Sequence, residues 1–166
     1  SRVNMVNNSY DSIKNIIQTQ GKGQVSTVVN NMFGDVWYVP TNDLLQAKLI
    51  DDAKGNYIFK DKKGASSLSL TFEEVYTKGK SANYWINVSG ANSLAEMKAS
   101  YPNYAWFDAF KKGNVYAYNK RMNEKGSNDY FEQGILRPDI ILNDLGKIFY
   151  PNLFPNYDLY FYQQLK

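Results

Sequence analysis

The hydrophobic positions of this chain fall into short blocks that predict one opening helix and several buried strands. Over residues 1–19 the apolar residues recur at helical spacing, and Gly21 and Gly23 end the predicted helix. The segment Val25–Phe33 is rich in β-branched and apolar residues, as is typical of a buried strand. The same criterion predicts three further strands, at Tyr57–Phe59, Tyr84–Val88 and Val115–Tyr118.

Helix signals lie between these strands. Thr71–Glu74 and Ser93–Glu96 have the capping-box pattern, in which a hydroxyl and a carboxylate satisfy the free N–H groups of a first helical turn. Other helices are predicted at Leu44–Ala53, Tyr104–Lys112, Asn128–Gln133 and from Pro138 onward. Strands that alternate with helices predict an α/β fold: a three-layer sandwich with a central, mostly parallel four-stranded sheet and helices on both faces.

Three loops of this predicted fold follow strands and therefore share the carboxyl edge of the sheet, where such sheets bind ligands. They are Gly34–Asn42, Ser89–Ser93 and Asn119–Asp129. Trp37 and Tyr38 in the first loop either bind a flat, partly apolar ligand or only cover the core. Arg121 in the third loop either meets an anionic group of a ligand or faces solvent.

The composition excludes several kinds of chemistry. The 166 residues include no cysteine and no histidine, which removes disulfides, thiol nucleophiles, zinc sites and histidine-based acid–base catalysis. No glycine-rich phosphate loop or hydrolase elbow is present, so we expect neither catalytic residues nor a cofactor. The net charge of +3 comes from scattered lysines, which argues against nucleic-acid binding. Aromatic residues make up 16% of the chain, and we expect some of them at a binding surface.

The second half of the chain resembles a known family. An ordered set of short motifs carries the resemblance: Gly113-Asn114-Val115-Tyr116, Arg121 with Asn128–Gly134, Arg137–Leu145 and Ile148–Pro151. Together they resemble the C-terminal lobe of class III substrate-binding proteins, the receptors that carry cobalamin, ferric siderophores or haem to bacterial ABC importers. The Trp37–Pro40 segment is similar in place and kind, although Thr41-Asn42 stands where many relatives have a glycine pair.

The resemblance implies a division of the chain. Residues 1–20 would be the end of an interdomain helix, and residues 21–166 the C-terminal lobe of a two-lobe cleft. The ligand would be an iron chelate or cobalamin, held without direct metal ligation by this lobe. Its contacts are expected from Trp37, Tyr38 and Arg121, with Asn128 and Asp129 shaping the Arg121 loop. Asp43, at the start of a helix, would dock to the permease, although an acidic residue there is also favoured by the helix dipole.

The functional expectation is therefore a binding module and not an enzyme. The complete protein would be a monomer, periplasmic or anchored at the cell envelope, with an export signal outside these residues and permease subunits as partners. Two alternatives remain open at this point. One is a free-standing α/β domain that binds a small molecule or a protein. The other is an enzyme that uses carboxylates alone.

Overall fold

A computed structural model describes all 166 residues and has a central four-stranded sheet. Its strands are β1 (Thr27–Val29), β5 (Tyr84–Val88), β6 (Val115–Ala117) and β7 (Gln163–Gln164), in that order across the sheet. The first three strands are parallel, and β7 is antiparallel to β6. The predicted α/β fold with a mostly parallel four-stranded sheet is confirmed.

A second, antiparallel sheet stands beside the first. It consists of β2 (Met32–Phe33), β3 (Val36–Pro40) and β4 (Ser67–Leu70). The segment Gly34–Asn42, predicted as a loop, is therefore largely a β-hairpin, in which Phe33 pairs with Val36 across a tight turn. The prediction of a strand at Tyr57–Phe59 is wrong, because Tyr57 forms only one isolated bridge to Thr27 before the chain turns.

Seven α-helices surround the sheets. They are α1 (Arg2–Gln20), α2 (Leu45–Asp52), α3 (Phe72–Gly79), α4 (Leu94–Ser100), α5 (Asp108–Lys112), α6 (Asp129–Glu132) and α7 (Pro138–Phe149). Short 3₁₀ helices lie at Pro102–Trp106 and Pro151–Leu153. No helix combines the length and the apolar character that crossing a membrane requires.

The predicted helix starts are present. Thr71 Oγ1 accepts from the backbone N–H of Glu74 at 3.1 Å, and Ser93 Oγ accepts from that of Glu96, also at 3.1 Å. Pro138 is the first residue of α7, and the Arg137 guanidinium forms two hydrogen bonds with the buried Asp139 carboxylate, at 3.0 and 2.9 Å. Helix boundaries read from local pattern were therefore accurate where a cap or a proline marks them.

A buried carboxylate on α7 holds the C-terminal tail against the sheet. Asp144 is completely buried, and its two oxygens accept hydrogen bonds from the backbone N–H groups of Tyr160, Phe161 and Tyr162. The Tyr157 hydroxyl donates to the same carboxylate. All four partners are donors, so only a group that accepts at both oxygens satisfies them. This arrangement fixes the tail that supplies β7 to the sheet.

We expect Asp144→Asn to destabilise the fold by about 3 kcal/mol, because the amide would direct an N–H group at donors and leave some of them unpaired. Urea unfolding followed by far-UV circular dichroism measures the change. Asp158→Asn is the matched control, since Asp158 is an exposed carboxylate of the same tail. Equal effects of the two substitutions would show that the tail is not held by Asp144.

Candidate functional site

A shallow cavity of about 330 Å³, here called the edge pocket, opens at the carboxyl ends of the parallel strands. The residues that line it follow β1, end β5, follow β6 or come from the β2–β3 hairpin and α2. They are Asn30, Asn31, Met32, Phe33, Tyr38, Gln46, Asn87, Ser89 and Tyr118. None of these side chains carries a formal charge, and four of the nine are carboxamides. The pocket lies at the edge where the sequence predicted a ligand site.

The β2–β3 hairpin presents aromatic surface at this pocket. Tyr38 is 43% exposed and Phe33 is 78% exposed, which is unusual for large aromatic side chains in a folded domain. Successive residues of a strand point to opposite faces, so Tyr38 faces outward while its neighbours Trp37 and Val39 face the core. Asn30 Nδ2 donates to the carbonyl of Tyr38 at 2.9 Å and ties the hairpin to the end of β1.

Trp37 requires a correction, because it is fully buried and has no surface for a ligand. Its indole stacks on Trp85 with ring centroids 5.6 Å apart, and its Nε1 donates to the carbonyl of Val29 at 2.9 Å. The sequence left a binding role and a core role open for this residue, and the strand geometry of β3 selects the core role. The Trp85 indole donates in turn to the carbonyl of Asn30 at 2.7 Å.

Asn87 is the least conventional residue of the edge pocket. It lies inside β5 with a φ of 60°, in the left-handed region that asparagine tolerates better than most residues. The pairing of β5 with β6 shifts there, since two residues of β5 stand opposite one residue of β6. This β-bulge re-aims the side chain, as bulges next to functional sites do. Oδ1 of Asn87 accepts from the Tyr162 hydroxyl.

An aromatic cluster supports the pocket from the β6 side. The rings of Tyr118 and Tyr130 lie 4.7 Å apart, and Tyr130 also meets Tyr162 at 5.8 Å. Burial raises the pKa of Tyr130 to about 12, against the lowering effect of a hydrogen bond with Tyr162. Burial also raises the pKa of Tyr118, against a hydrogen bond with the Ser89 side chain. These phenols therefore remain protonated at physiological pH and act as hydrogen-bond donors.

The Arg121 loop lies beside the pocket but does not line it. Arg121 is exposed, its Nε donates to the carbonyl of Tyr160 at 3.0 Å, and its guanidinium carbon lies 3.6 Å from the centroid of the Tyr160 ring. Asn128 is buried, caps α6 through Tyr130 N–H and donates to the carbonyl of Tyr118. Asp129 is half-buried, and its N–H donates to the carbonyl of Arg121 at 3.4 Å.

Asp43 lies two residues before the first residue of α2 and is exposed. Its backbone N–H donates to the carbonyl of Gly64 at 2.9 Å. The residue therefore stands on the surface, close to the helix start that the sequence indicated.

A second, larger groove of about 680 Å³ lies at the opposite edge of the sheet and includes Lys54, Lys60 and Lys112. Lys54 donates to the carbonyl of Gly21, and Lys60 donates to Asn56 Oδ1, so two of the three ammonium groups already have partners. In the whole chain no three acidic side chains come together as a metal site would require. The edge pocket is thus the better candidate for a ligand.

Sequence reasoning missed Asn87, although one feature pointed to it. Within the apolar run of β5, Tyr-Trp-Ile-Asn-Val, asparagine is the single polar residue. A buried polar residue in a central strand needs a hydrogen-bond partner, and here the partner comes from a tail distant in sequence. Ser89 was within a predicted edge loop, whereas Asn30 and Asn31 were placed inside a strand that the structure ends at Val29.

Comparison with known proteins found one relative by sequence and several solved structures with a similar fold. No protein-family model matches the chain. An uncharacterized lipoprotein of Methanocaldococcus jannaschii is 32% identical over 126 residues, which is 75% of this chain. The chain spans only 28% of the length of that relative.

Solved structures with the same fold are periplasmic binding proteins. The TroA-like protein FepB of Veillonella parvula matches with a TM-score of 0.69 and 12% identity, over 99% of this chain and 55% of that one. A possible iron-binding protein of Staphylococcus epidermidis matches with a TM-score of 0.66 and 16% identity, over 90% of this chain and 54% of that one. CeuE of Helicobacter pylori, solved with Ni(II) bound, matches with a TM-score of 0.67 and 12% identity, over 95% of this chain and 47% of that one.

These likenesses establish the fold of the chain, which spans about half the length of each solved protein. The class III resemblance drawn from the sequence is confirmed at the level of fold. The solved proteins of this fold are binding proteins, which is the class of protein expected from the sequence.

The corrected role of Trp37 gives a stability prediction. We expect Trp37→Phe to lower the free energy of unfolding by about 2 kcal/mol, since it removes the indole hydrogen bond to Val29 and buried ring contacts. Trp106→Phe is the control, because Trp106 is 50% exposed, and a change below about 0.5 kcal/mol is expected there. Guanidinium unfolding compares the two. A Trp37→Phe protein as stable as the parent would contradict the core assignment.

Proposed function

We propose that the chain is one lobe of the solute-binding component of an ABC importer for a metal chelate of the iron-chelate or cobalamin kind. The observation that carries the proposal is the edge pocket, which places solvent-exposed aromatic rings and carboxamides at the carboxyl ends of parallel strands in a solute-binding fold. Such a surface suits a ligand with flat apolar parts and oxygen acceptors.

The composition of the pocket favours a whole chelate over a bare ion. A bare ion needs converging carboxylates, imidazoles or thiolates, whereas the side chains here are rings, amides and hydroxyls. Phe33 and Tyr38 offer ring surface, and Asn87 and Ser89 offer polar groups in the same pocket. A chelate carries its own metal ligands and presents an organic exterior, which these groups fit.

The proposed mechanism is capture without covalent chemistry. A largely preformed pocket binds the chelate with little loss of side-chain freedom, because Asn30 and the Trp85 indole hold the hairpin and the strand ends in place. A second lobe would close the other side of the ligand, and helix α1 would lead to it. Exposed Asp43 would meet a basic residue of the permease, which is docking by charge complementarity.

The proposed partners and location follow from the same assignment. The permease subunits of the importer are the protein partners, and the protein works as a monomer in the periplasm or anchored at the cell envelope. The lipoprotein of Methanocaldococcus jannaschii supports an envelope location for proteins of this sequence type. The structural relatives that are ABC transporter substrate-binding proteins support the transport role.

Calorimetric titration of the protein with ferric siderophores, haem and cobalamin tests the proposal. We expect micromolar or tighter binding of at least one, and Tyr38→Ala to weaken it by about tenfold or more, because it removes exposed ring surface from the pocket.

The matched control is Trp106→Ala, which truncates a half-exposed ring that does not line the pocket and should leave the affinity unchanged. Failure of every chelate to bind would overturn the transport assignment and favour a free-standing binding domain. Loss of binding in both variants would place the ligand elsewhere.

A further inference from the structure

The edge pocket contains a hydrogen-bond donor on a nearly buried residue, the Nδ2 group of Asn87, for which the protein supplies no acceptor. Asn87 is 3% exposed, and its Oδ1 is engaged by the Tyr162 hydroxyl. Its Nδ2 group has no acceptor in the protein. Among the side-chain polar atoms that are closed off from solvent, only Asn143 Oδ1 lacks a hydrogen-bond partner. Asn87 Nδ2 has no acceptor either, so it is not closed off, and it reaches the surface at the edge pocket.

The amide oxygen of Asn87 faces the interior of the protein. Oδ1 lies 2.5 Å from the Tyr162 hydroxyl, which burial keeps protonated by raising its pKa well above the ordinary value and which also has a hydrogen bond with Tyr130. With Oδ1 held on that side, Nδ2 projects to the other. Asn87 therefore presents an uncharged N–H donor to the pocket, while its carbonyl oxygen is bound by the Tyr162 hydroxyl inside the protein.

Left-handed backbone occurs at both edges of the sheet. Of the four non-glycine residues with positive φ angles, Asn30 (65°) and Asn87 (60°) line the edge pocket, whereas Lys54 (51°) and Asn56 (49°) line the groove at the opposite edge. At Asn87 the positive φ coincides with the bulge of β5, which sets the position of its side chain at the edge pocket.

The charged side chains that follow β6 do not line the pocket. The nearest cations after β6 are Lys120 and Arg121, and they donate to the backbone carbonyls of Leu159 and Tyr160 in the C-terminal tail. The pocket lining has no carboxylate and no ammonium or guanidinium group. An anionic ligand group would meet no positive charge in the pocket lining, so the free-energy cost of removing its water would not be offset.

From this we infer that Asn87 is a ligand-binding residue that donates from Nδ2 to an uncharged oxygen acceptor, and that the edge pocket selects an electrically neutral chelate whose exterior carries amide, hydroxamate or hydroxyl oxygens. The inference rests on the proposed function and names the ligand class of the same site. It differs from the sequence-based expectation of an Arg121 contact to an anionic group, because Arg121 does not line the edge pocket.

The test compares a neutral and a trianionic ferric chelate on the protein as its gene encodes it. The neutral probe is the ferric trihydroxamate ferrichrome, and the anionic probe is the ferric tricatecholate enterobactin. We expect the neutral complex to bind about tenfold or more tightly, and Asn87→Gly and Asn87→Asp each to weaken it by about tenfold.

The two substitutions separate binding from folding. Glycine accepts the positive φ and removes the donor without adding charge, and aspartate keeps the size and the acceptor for Tyr162. Asn56→Gly is the matched control, since Asn56 also has a positive φ (49°) but lies in the groove at the opposite edge. Thermal unfolding of each variant verifies that it is folded, and whichever Asn87 variant is folded decides the outcome.

Tighter binding of the anionic chelate, or neutral-chelate affinity unchanged in a folded Asn87 variant, would overturn this inference and leave the transport role intact. Absence of binding by either probe together with cobalamin and haem would instead remove the proposed function, and this inference with it. Equal weakening by Asn56→Gly would show that Asn87 acts through the fold and not on the ligand.

Discussion

The buried carboxylate of Asp144 is the interaction on which the pocket depends. It binds the N–H groups of Phe161 and Tyr162, which places the end of the tail beside β6 and brings the Tyr162 hydroxyl against Asn87. The Asp144 carboxylate on α7 thus influences the edge pocket indirectly, because it positions the C-terminal tail and, with it, the Tyr162 hydroxyl. Without it, the last strand, the aromatic cluster around Tyr130 and the orientation of the Asn87 amide would all lose their support.

The sequence predicted a helix or strand correctly where the contacts that determine it are local in the chain. The helix starts at Thr71, Ser93 and Pro138 are set by residues within one turn, and all three were predicted correctly. Strand β7 was missed because Gln163 and Gln164 carry no strand pattern and pair only because the tail is held elsewhere. Tyr57–Phe59 has a strand composition, but its backbone continues into a turn after one bridge.

The candidate site was predicted in place but only partly in its members. Tyr38 lies in the edge pocket, while Trp37 turned inward because consecutive residues of a strand point in opposite directions. The segment was predicted as a loop, which would not have imposed that alternation, whereas the turn at Gly34-Asp35 makes it a hairpin. The isolated asparagine in the apolar run of β5 was the one local signal for Asn87, but its hydrogen-bond partner could not have been predicted locally, since Tyr162 lies 75 positions away.

The stacked indoles of Trp37 and Trp85 have a consequence for optical work on this protein. Two indoles 5.6 Å apart and inclined by 21° couple their electronic transitions, and both are sealed in the core. Their emission and near-ultraviolet dichroism therefore report on the integrity of the hydrophobic interior. Trp106 alone is open to collisional quenchers, and it does not line the edge pocket. Intrinsic tryptophan spectra consequently monitor folding, and a bound ligand that does not touch an indole alters their emission only through energy transfer to its own chromophore.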